Sequence, residues 1–226
     1  MVNIAVLLTC HNRKDKTVTC LDSLFNAVLP SNYSLEVFLV DDGSTDGTSQ
    51  AIKEKFPQVH IIKGNGNLYW NRGMHLAWKT ASNKNDYDFY LWLNDDVKIL
   101  SNGIKTLLEN HKLEPNSLLC GVMSSEFDKK ITYGGSKLQK GLLEPNISKP
   151  LLCQSINGNL VLIPKNIFKK VGNLDSVFSH AIGDFDYGLR VVKCGFDCRI
   201  TTKVVGYCEQ DKSVVEWCNP KVKFFD

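Results

Sequence analysis

The sequence contains no apolar run that reaches the roughly 18 residues of a transmembrane helix. The first apolar run, Ile4 to Leu8, is also too short for a signal peptide. Internal repeats and low-complexity linkers are missing as well. Because 43% of the 226 residues are hydrophobic, the chain can nevertheless bury a proper core. We therefore expect a folded cytoplasmic protein, and the sequence leaves open an association with the inner face of the membrane.

An excess of charge of one sign is also missing. The chain has 27 basic and 24 acidic side chains, a formal net charge of +3. Proteins that bind nucleic acid or an anionic surface through their overall field carry a larger imbalance. We therefore expect no nucleic-acid partner.

Cysteine is present, but without the spacing of a zinc site or of a small disulfide scaffold. The eight cysteines are scattered, and no CxxC pair occurs. The densest group, at positions 194, 198, 208 and 218, has no accompanying histidine. Reduced, buried thiols are the expected state.

The first hundred residues alternate between two kinds of segment. Apolar, strand-like runs are predicted at 3–9, 35–41, 59–63 and 88–93. Helical spacing of apolar residues is predicted at 17–27, 48–56 and 74–81. Strands that alternate with helices favour a Rossmann-like, mostly parallel α/β sheet flanked by helices, with ligands at the carboxyl ends of the strands.

The second half of the chain is less regular. A helix is predicted at 103–111, a strand at 117–123, a hairpin or loop at 128–150 and a strand at 155–163. A last helix is predicted at 185–194, with Gly195 ending it. We interpret residues 1–226 as one domain, with a nucleotide-binding half to about residue 100, a second half to about 210 and a tail at 211–226.

The end of the fourth predicted strand carries the most informative side chains. The apolar run 88–93 stops at Asn94, Asp95 and Asp96. Oxygen ligands at a strand end suit Mg²⁺ or Mn²⁺, which usually complete their shells with phosphate oxygens. The sequence therefore predicts a metal-assisted site for a phosphorylated substrate.

Three other predicted strands also end in polar residues. The first is followed by Thr9 to Arg13, the second by Asp41 and Asp42, and the third by a Gly- and Asn-rich loop, 64–73, that carries Arg72. A guanidinium suits phosphate, and carboxylates accept hydrogen bonds from a base or a ribose. Turn formation, helix capping and solvated surface charge are the competing interpretations of each group.

Taken together, these strings resemble glycosyltransferase family 2, the inverting enzymes of GT-A-type fold that use nucleotide-diphosphate sugars. The resemblance covers roughly residues 3–210. It depends on the order and spacing of six strings: TCHNR, VDDGSTDGT, GNGNLYWNRG, LWLNDDV, NGNLVLIPK and GDFDYGLR.

The resemblance implies a role for each residue of the nucleotide side. Thr9 would contact the nucleotide, Asp41 the base, and Arg72 the base or the phosphates. Asn94 would replace the first acid of the family's Asp-x-Asp motif, with Asp95 on the ribose side and Asp96 on Mg²⁺ or Mn²⁺. The full set implied to bind the nucleotide is Thr9, Asn12, Arg13, Asp41, Asn67, Arg72, Asn94 and Asp95.

The string GDFDYGLR resembles the family's late acidic motif and implies that Asp184 is the general base. Gly183 departs from the family glutamate, whereas Asp186 and Arg190 are retained and would lie on the sugar or acceptor side. The alternative is a helix cap at Asp184 and an exposed i, i+4 pair of Asp186 with Arg190.

Two residues are expected beside the donor or acceptor sugar. Trp70 offers an aromatic face, which suits a sugar ring. Gly158 falls where the family brings a strand close to both sugars, although a glycine there would also be consistent with a simple bulge.

The family's late metal-binding histidine is missing. The matching stretch offers Tyr207 or Cys208 instead. Metal binding would then depend on Asp96 and on the diphosphate, so tight occupancy is expected to need the nucleotide.

The leading interpretation is an inverting transfer of a sugar from a nucleotide-diphosphate donor to a hydroxyl of a glycan or lipid-linked acceptor. A nucleotidyltransferase is the rival enzyme, although TCHNR lacks the glycine-rich phosphate loop expected of that class. A non-catalytic nucleotide-sugar or carbohydrate-binding module is the rival from another class. The donor, the acceptor and dimerisation stay undetermined at this stage.

Overall fold

A computed structural model describes residues 1–137 and 141–210 of the chain. The predicted tail, 211–226, and Cys218 lie outside the described residues. Six helices are present in the described part: α1 Lys14–Phe25, α2 Thr48–Lys55, α3 Tyr69–Lys84, α4 Gly103–Leu113, α5 Lys165–Val171 and α6 Gly183–Lys193.

The strands within the same residues are β1 Val2–Cys10, β2 Tyr33–Asp41, β3 His60–Lys63, β4 Phe89–Leu93, β5 Lys98–Ile99, β6 Ser117–Ser124, β7 Ile131–Tyr133, β8 Ser136–Lys137, β9 Gly141–Leu142, β10 Leu151–Leu152, β11 Leu160–Pro164 and β12 Asp197–Tyr207. Strands β8 and β9 pair antiparallel within the stretch 128–150, where a hairpin or loop was expected.

The central sheet has the strand order β10-β12-β6-β11-β4-β1-β2-β3. Strands β4, β1, β2 and β3 are parallel, as are β12 and β6, whereas β11 runs antiparallel between β4 and β6. The predicted α/β architecture, with a mostly parallel sheet flanked by helices, is confirmed. The carboxyl ends of β1, β2 and β4 consequently meet at one edge.

Both faces of the sheet are buried. Along β1, Ile4, Val6 and Leu8 pack on one face with apolar residues of α1, α2 and α4. Ala5 and Leu7 pack on the other face with α3, α5 and α6. Burial on both faces explains why the strands are continuously apolar rather than alternating.

Several predicted boundaries were wrong. The strand expected at 155–163 begins at Leu160, α5 directly follows it, and the eleven-residue β12 was missed. The sequence of β12 is rich in polar residues, and tertiary contacts accommodate them: Thr202 N–H donates to Asn110 Oδ1 at 2.8 Å, and Asn110 Nδ2 donates to Thr202 Oγ1 at 3.0 Å.

None of the described helices is long and apolar enough to cross a membrane. The seven cysteines of the described residues are free thiols, six of them buried.

Glu36 on β2 carries a charge cluster whose effect on stability can be tested. Its carboxylate accepts hydrogen bonds from Lys84 Nζ at 2.5 Å and from the Tyr87 hydroxyl, and His60 Nε2 lies 2.8 Å from it. Partial burial raises the pKa of Glu36, but these hydrogen bonds outweigh it and lower the pKa to about 2. The stabilising contribution is therefore present above the ordinary pKa of about 4.5 and is lost as the pH falls towards 2.

We expect Glu36→Gln to lower the free energy of unfolding by about 1 kcal/mol at neutral pH, since the side chain is partly exposed and solvent weakens the pair. The difference from wild type should shrink as the pH falls below 4.5, which urea unfolding at several pH values measures. Glu109→Gln is the matched control, because Glu109 is exposed and lies 3.8 Å from Lys105. A difference that stays constant down to pH 3 would contradict the assignment.

Candidate active site

A cavity of about 470 Å³ opens at the carboxyl edge of the sheet. Its walls come from the ends of β1, β2 and β4, the start of α3, the segment before β11 and the start of α6. The lining residues are Thr9, Cys10, His11, Arg13, Asp42, Tyr69, Trp70, Asn94, Asp95, Asn157, Gly158, His180, Ala181, Ile182 and Asp184. This volume lies within the range of small-ligand sites.

The end of β1 contributes Thr9 to the wall, and the turn after β1 contributes Arg13. Helix α3 approaches Thr9 so closely that a Cβ on Gly73 would lie 2.3 Å from Thr9 Oγ1. Only glycine fits at that position without a shift of one of the two elements. Asn12 does not line the cavity: its Oδ1 accepts a hydrogen bond from Thr45 N–H at 2.7 Å and ties this turn to the turn after β2.

The two carboxylates after β4 are bridged by one guanidinium. Arg13 Nη1 lies 3.0 Å from Asp95 Oδ1, and Arg13 Nη2 lies 2.6 Å from Asp96 Oδ2. Asp95 is buried, and burial raises its pKa to about 6 despite the attraction of Arg13. Asp96 remains partly accessible. The positive charge of Arg13 therefore balances an acidic corner that would otherwise repel a diphosphate.

A chain of polar contacts leads from Trp70 and Asn94 in the cavity wall to Asp96, which does not line this cavity. Trp70 Nε1 donates to Asn94 Oδ1 at 2.6 Å, and Asn94 Nδ2 donates to Asn159 Oδ1 at 2.5 Å. Asn159 Nδ2 lies 3.5 Å from Cys208 Sγ, which lies 3.7 Å from Asp96 Oδ1. An aspartate at 94 would lack the donor that meets Asn159. This explains why the chain carries Asn where the related motif has an acid.

The second strand end is organised around Asp42 rather than Asp41. Asp41 is turned away from the cavity, since its carboxylate accepts hydrogen bonds from Ser44 N–H at 2.9 Å and from the Ser49 hydroxyl. Asp42 lines the cavity and accepts hydrogen bonds from the backbone N–H groups of 66, 68 and 69 at 2.7–3.0 Å. Asp42 therefore holds the segment that leads into α3.

The predicted loop at 71–73 is the first turn of α3, which corrects the sequence-based assignment. Asn71 is fully buried, and its Nδ2 donates to Asp175 O at 2.7 Å and to Phe178 O at 2.8 Å. Arg72 is exposed, points at the same segment and donates to Ser176 O at 3.0 Å. Helix α3 therefore begins at Tyr69, before the apolar spacing that starts at Met74. Its first turn is polar because its side chains bind backbone carbonyl groups of the segment 173–182.

Four of the residues implied on the nucleotide side do not line the cavity: Asn12 and Asp41, described above, and Asn67 and Arg72. Asn67 is exposed, and its N–H donates to Asn65 Oδ1 at 3.0 Å. Arg72, in α3, binds the segment 173–182 through Ser176 O. Both are absent from the wall formed by the described residues.

Asp184 lies at the start of α6, in the cavity wall opposite the strand ends. Its Oδ2 accepts a hydrogen bond from Gly158 N–H at 2.9 Å, and its Oδ1 accepts one from Phe185 N–H at 2.9 Å. Burial raises the pKa of Asp184, although these two hydrogen bonds oppose the effect. A Cβ on Gly158 would lie 2.5 Å from the Trp70 ring, so Gly158 lets Trp70 and Asp184 approach the same strand start.

The side chain of Asn71 leaves room only for glycine at position 183. A Cβ at position 183 would lie 1.8 Å from Asn71 Oδ1, a buried oxygen that accepts no hydrogen bond within the described part of the chain. The residue before it, Ile182, has φ +75°, which is strained for a β-branched side chain. Tyr69, across the cavity, has φ +55°. Strained backbone of this kind concentrates at functional sites.

Asp186 and Arg190 do not line the cavity, unlike the sequence-based expectation for the sugar side. Asp186 Oδ2 accepts a hydrogen bond from Arg190 Nε at 2.8 Å. Arg190 Nη1 also donates to Val171 O at 3.1 Å, which holds α5 against α6. The competing interpretation, an i, i+4 pair, describes their geometry.

The donor set around Asp96 fits a metal ion only in part. Cys208 is the nearest residue that could replace the missing histidine, but burial and the nearby Asp96 raise the pKa of its thiol, which stays protonated and binds metal weakly. No group of three His, Cys, Asp or Glu side chains in the described ranges is placed to hold a metal. The residues present therefore suit an ion that takes Asp96 and draws its other oxygens from a bound diphosphate.

Sequence reasoning did not single out several residues of the wall: His11, Asn157, His180, Ala181 and Ile182. His11 Nδ1 lies 2.6 Å from Asp42 O, and the His180 ring meets the Tyr69 ring edge-on at 6.2 Å. Asp42 was noted beside Asp41 but not chosen. Neither periodicity nor a motif marks the segment 175–182, because tertiary contacts with α3 place it.

A sequence model of the family described as Glycosyl transferase family 2 matches residues 5–172. The poly-beta-1,6-N-acetyl-D-glucosamine synthase of Staphylococcus aureus is 28% identical over 115 residues, which cover 50% of this chain and 26% of that protein. The N-acetylglucosaminyl-diphospho-decaprenol L-rhamnosyltransferase of Mycobacterium tuberculosis is 23% identical over 201 residues, which cover 74% of this chain and 64% of that protein. The chain thus spans between about a quarter and two thirds of these relatives.

Two solved structures share the fold. The mannosyltransferase PcManGT from Pyrobaculum calidifontis, in complex with GDP-Man and Mn²⁺, superposes with a TM-score of 0.67 at 15% identity, covering 93% of this chain and 57% of that one. TarS 1-349 of S. aureus, in complex with UDP-GlcNAc, gives 0.68 at 15% identity, covering 95% and 60%. The GT-A-type fold expected from the sequence is thereby confirmed. Because the family match spans well over half of its length, the chain belongs to glycosyl transferase family 2, a family of sugar-transferring enzymes.

Proposed function

We propose that this chain transfers a sugar from a nucleotide-diphosphate donor to a hydroxyl of a glycan or lipid-linked acceptor, with inversion at the anomeric carbon. The observation that carries the proposal is the position of Asp184. Its carboxylate lies in the wall of the cavity that also contains Arg13, Asn94 and Asp95 at the strand ends. One cavity therefore combines a candidate base with a polar corner suited to a diphosphate. The relatives that make a polysaccharide and a rhamnosylated lipid intermediate support the class of substrate.

Asp184 is the proposed general base. In its ionised form it takes the proton of the acceptor hydroxyl while that oxygen forms a bond to the anomeric carbon. The bond between that carbon and the diphosphate oxygen breaks on the opposite side, and the nucleoside diphosphate leaves with the bonding electrons. The raised pKa of Asp184 strengthens it as a base, and the Gly158 N–H holds the carboxylate in one orientation.

The strand ends form the proposed donor side. Thr9 and Arg13 line the cavity near the first strand end, and Asp42 organises the segment that carries Tyr69 and Trp70. We assign the base-binding role proposed for Asp41 to the region of Asp42, because Asp42 lines the cavity and Asp41 does not. Trp70 offers its ring beside Gly158, on the side where the transferred sugar would lie.

Arg13 has a specific place in this arrangement. Its guanidinium already contacts both carboxylates of the acidic corner, and the cavity lies beside it. A bound diphosphate would meet this positive charge first. We propose that Arg13 screens Asp95 and Asp96 and binds diphosphate oxygens, for which its planar fork is suited.

Asp96 is the proposed protein ligand for Mg²⁺ or Mn²⁺, which would supply Lewis-acid neutralisation of the leaving diphosphate. Titration of Mn²⁺ into nucleotide-free protein should show no micromolar binding, because one partly exposed carboxylate already pairs with Arg13. Addition of UDP or GDP, whichever binds, should produce Mn²⁺ binding measurable by calorimetry or by electron paramagnetic resonance.

Asp96→Asn should abolish the nucleotide-dependent binding of Mn²⁺. Glu54→Gln serves as the matched control, because Glu54 is an exposed acid of α2. Micromolar affinity for Mn²⁺ in the absence of nucleotide would overturn this assignment.

The proposed function is tested with a panel of UDP-, GDP- and dTDP-sugars in the presence of Mn²⁺. A cognate donor should raise the midpoint of thermal unfolding, since a ligand that binds the folded state stabilises it in proportion to its excess over Kd. Release of nucleoside diphosphate from that donor, stimulated by an acceptor sugar, should follow. If no donor shifts the midpoint or is turned over, the proposed function is wrong.

A further inference from the structure

The outer face of α6 is unusually apolar for a surface helix. Phe185, Leu189 and Val192 are separated by four and three residues and therefore lie on one face of α6, and Ile182, immediately before the helix, is exposed as well. They are between 38% and 57% exposed, whereas the opposite face of α6, with Tyr187 and Val191, is buried in the core. We call these four residues the outer stripe.

Other helices of the chain show what an ordinary exposed face looks like here. The exposed positions of α1 are Lys14, Asp15, Lys16 and Thr19. Those of α4 are Lys105, Glu109, Lys112 and Leu113. In α6, by contrast, Lys193 is the single polar residue among the exposed positions of this fully described helix. Contiguous exposed apolar residues of this kind mark an interaction surface.

The outer stripe is continuous with the candidate active site. Its first residue, Ile182, lines the cavity and stands two positions before Asp184. An acceptor that reaches Asp184 therefore enters beside the stripe. Whatever covers the stripe also lies at the mouth of the cavity.

Exposed cations lie in the last turns of α5 and α6. Lys193 ends α6, and Lys169 and Lys170 lie in the last turn of α5. The hydrogen bond from Arg190 to Val171 O holds these two helix ends together. Apolar residues beside a group of lysines match the chemistry of an anionic bilayer surface, which takes apolar side chains into its acyl boundary and attracts cations to its headgroups.

A second copy of the chain is a weaker match for the same face. Four half-exposed side chains present on the order of a few hundred Å², below the roughly 800 Å² that each partner contributes to a specific interface. The adjacent lysines would also face one another across a symmetric contact.

From these observations we infer that the outer stripe and its lysines dock the chain on an anionic phospholipid bilayer, with the mouth of the cavity facing the lipid. The inference rests on the proposed function in one respect, namely that the cavity admits a lipid-linked acceptor. A surface contact of this kind would deliver such an acceptor to Asp184 while the nucleotide donor enters from water.

Co-sedimentation with vesicles tests the inference without any nucleotide or turnover, so its outcome is separate from that of the proposed function. The wild-type chain should bind vesicles of phosphatidylcholine with about one third phosphatidylglycerol, and bind pure phosphatidylcholine more weakly. The double variant Leu189→Gln/Val192→Gln should lower partitioning about tenfold, because two apolar side chains no longer enter the acyl boundary. Neither residue lines the cavity.

Leu113→Gln/Phe127→Gln is the matched control, since both residues are exposed apolar side chains outside α6. It should partition like the wild type. Lys169→Gln/Lys170→Gln should weaken binding to the anionic vesicles and leave binding to phosphatidylcholine unchanged. Sedimentation velocity of the same proteins should give one unchanged oligomeric state.

The inference is overturned if the wild-type chain does not bind anionic vesicles, or if the α6 variant binds as well as the control. A change of oligomeric state in the α6 variant with unaltered vesicle binding would likewise overturn it and assign the face to a second copy. Circular dichroism of each variant establishes that it is folded before partitioning is compared.

Discussion

Replacing Asp184 with Asn is expected to lower the rate of sugar transfer by about 100- to 10,000-fold, the range that a general base contributes. The amide cannot accept the proton of the acceptor hydroxyl. Binding of the nucleotide should persist, because the strand ends that form the proposed donor side are unchanged. The measurements are initial rates with the cognate donor and the Kd of the nucleoside diphosphate.

The fold should tolerate this substitution. Asp184 accepts hydrogen bonds from Gly158 and Phe185, and Asn can accept one of them. The raised pKa means that ionised Asp184 lowers stability as the pH rises through that value. At neutral pH the variant gains stability because the buried charge is removed, and this gain offsets the stability lost with one hydrogen bond.

The pH dependence of wild-type activity gives an independent check on Asp184. Activity should fall on the acid side as Asp184 becomes protonated, at a pH above that expected for an unperturbed aspartate, because burial raises its pKa. Asp186→Asn is the matched control, since Asp186 pairs with Arg190 outside the cavity wall. Full transfer activity in Asp184→Asn would rule out the base assignment. If the variant loses both transfer activity and nucleotide binding, the cause is a folding defect instead.

Replacing Gly183 with Ala is expected to lower the free energy of unfolding by about 2–3 kcal/mol, a typical cost of overpacking combined with lost buried hydrogen bonds. The new Cβ would lie 1.8 Å from Asn71 Oδ1 and 2.5 Å from its Cγ. Asn71 must then rotate, and its Nδ2 loses the bonds to Asp175 O and Phe178 O. Chemical denaturation of the single variant measures the effect.

A double-mutant cycle isolates this contact. Asn71→Ala removes the obstruction, so Gly183→Ala should cost at least about 1 kcal/mol less in that background than in the wild type. Gly188→Ala, in the same helix, is the matched control: its Cβ would lie 3.2 Å from Ile156 Cγ1, and the helix-propensity gain of about 1 kcal/mol offsets that contact. Equal costs of Gly183→Ala in both backgrounds would show that Asn71 is not the cause.

The same contact explains the departure of this chain from the family motif. A glutamate at 183 would carry its side chain into the buried Asn71, which ties α3 to the segment 173–182. Position 183 therefore has no room for a glutamate side chain in this chain. Restoring the acid alone, as in Gly183→Glu, is expected to disrupt the fold and not to improve catalysis.

Sequence reasoning predicted the strands of the first hundred residues well and those of the second half poorly. Continuous apolar runs such as Leu91 to Leu93 identify strands that are buried on both faces. Strand β12 was missed because its buried threonines depend on Asn110, which lies 92 residues away in the sequence from Thr202. A contact of that separation leaves no local pattern.

For the candidate site, too, some features could be predicted from the sequence and others could not. Asn94, Asp95, Asp96 and Asp184 were expected from strand-end and motif positions, and the structure places Asn94, Asp95 and Asp184 around one cavity. Whether a neighbouring side chain faces that cavity was not readable from the sequence. Asp41 and Asp42 are adjacent and chemically identical, yet only Asp42 lines the cavity in the described structure.

The sequence by itself determined the α/β class, the family and the clustering of polar groups at strand ends, because hydrophobic periodicity and short motifs are local properties of the chain. The tertiary structure decided which side chains meet. It placed Arg13 on two carboxylates, Asn71 against Gly183 and the apolar stripe of α6 beside the cavity mouth. These contacts depend on packing between segments that are distant in sequence, where the geometry of the whole sheet sets the distances.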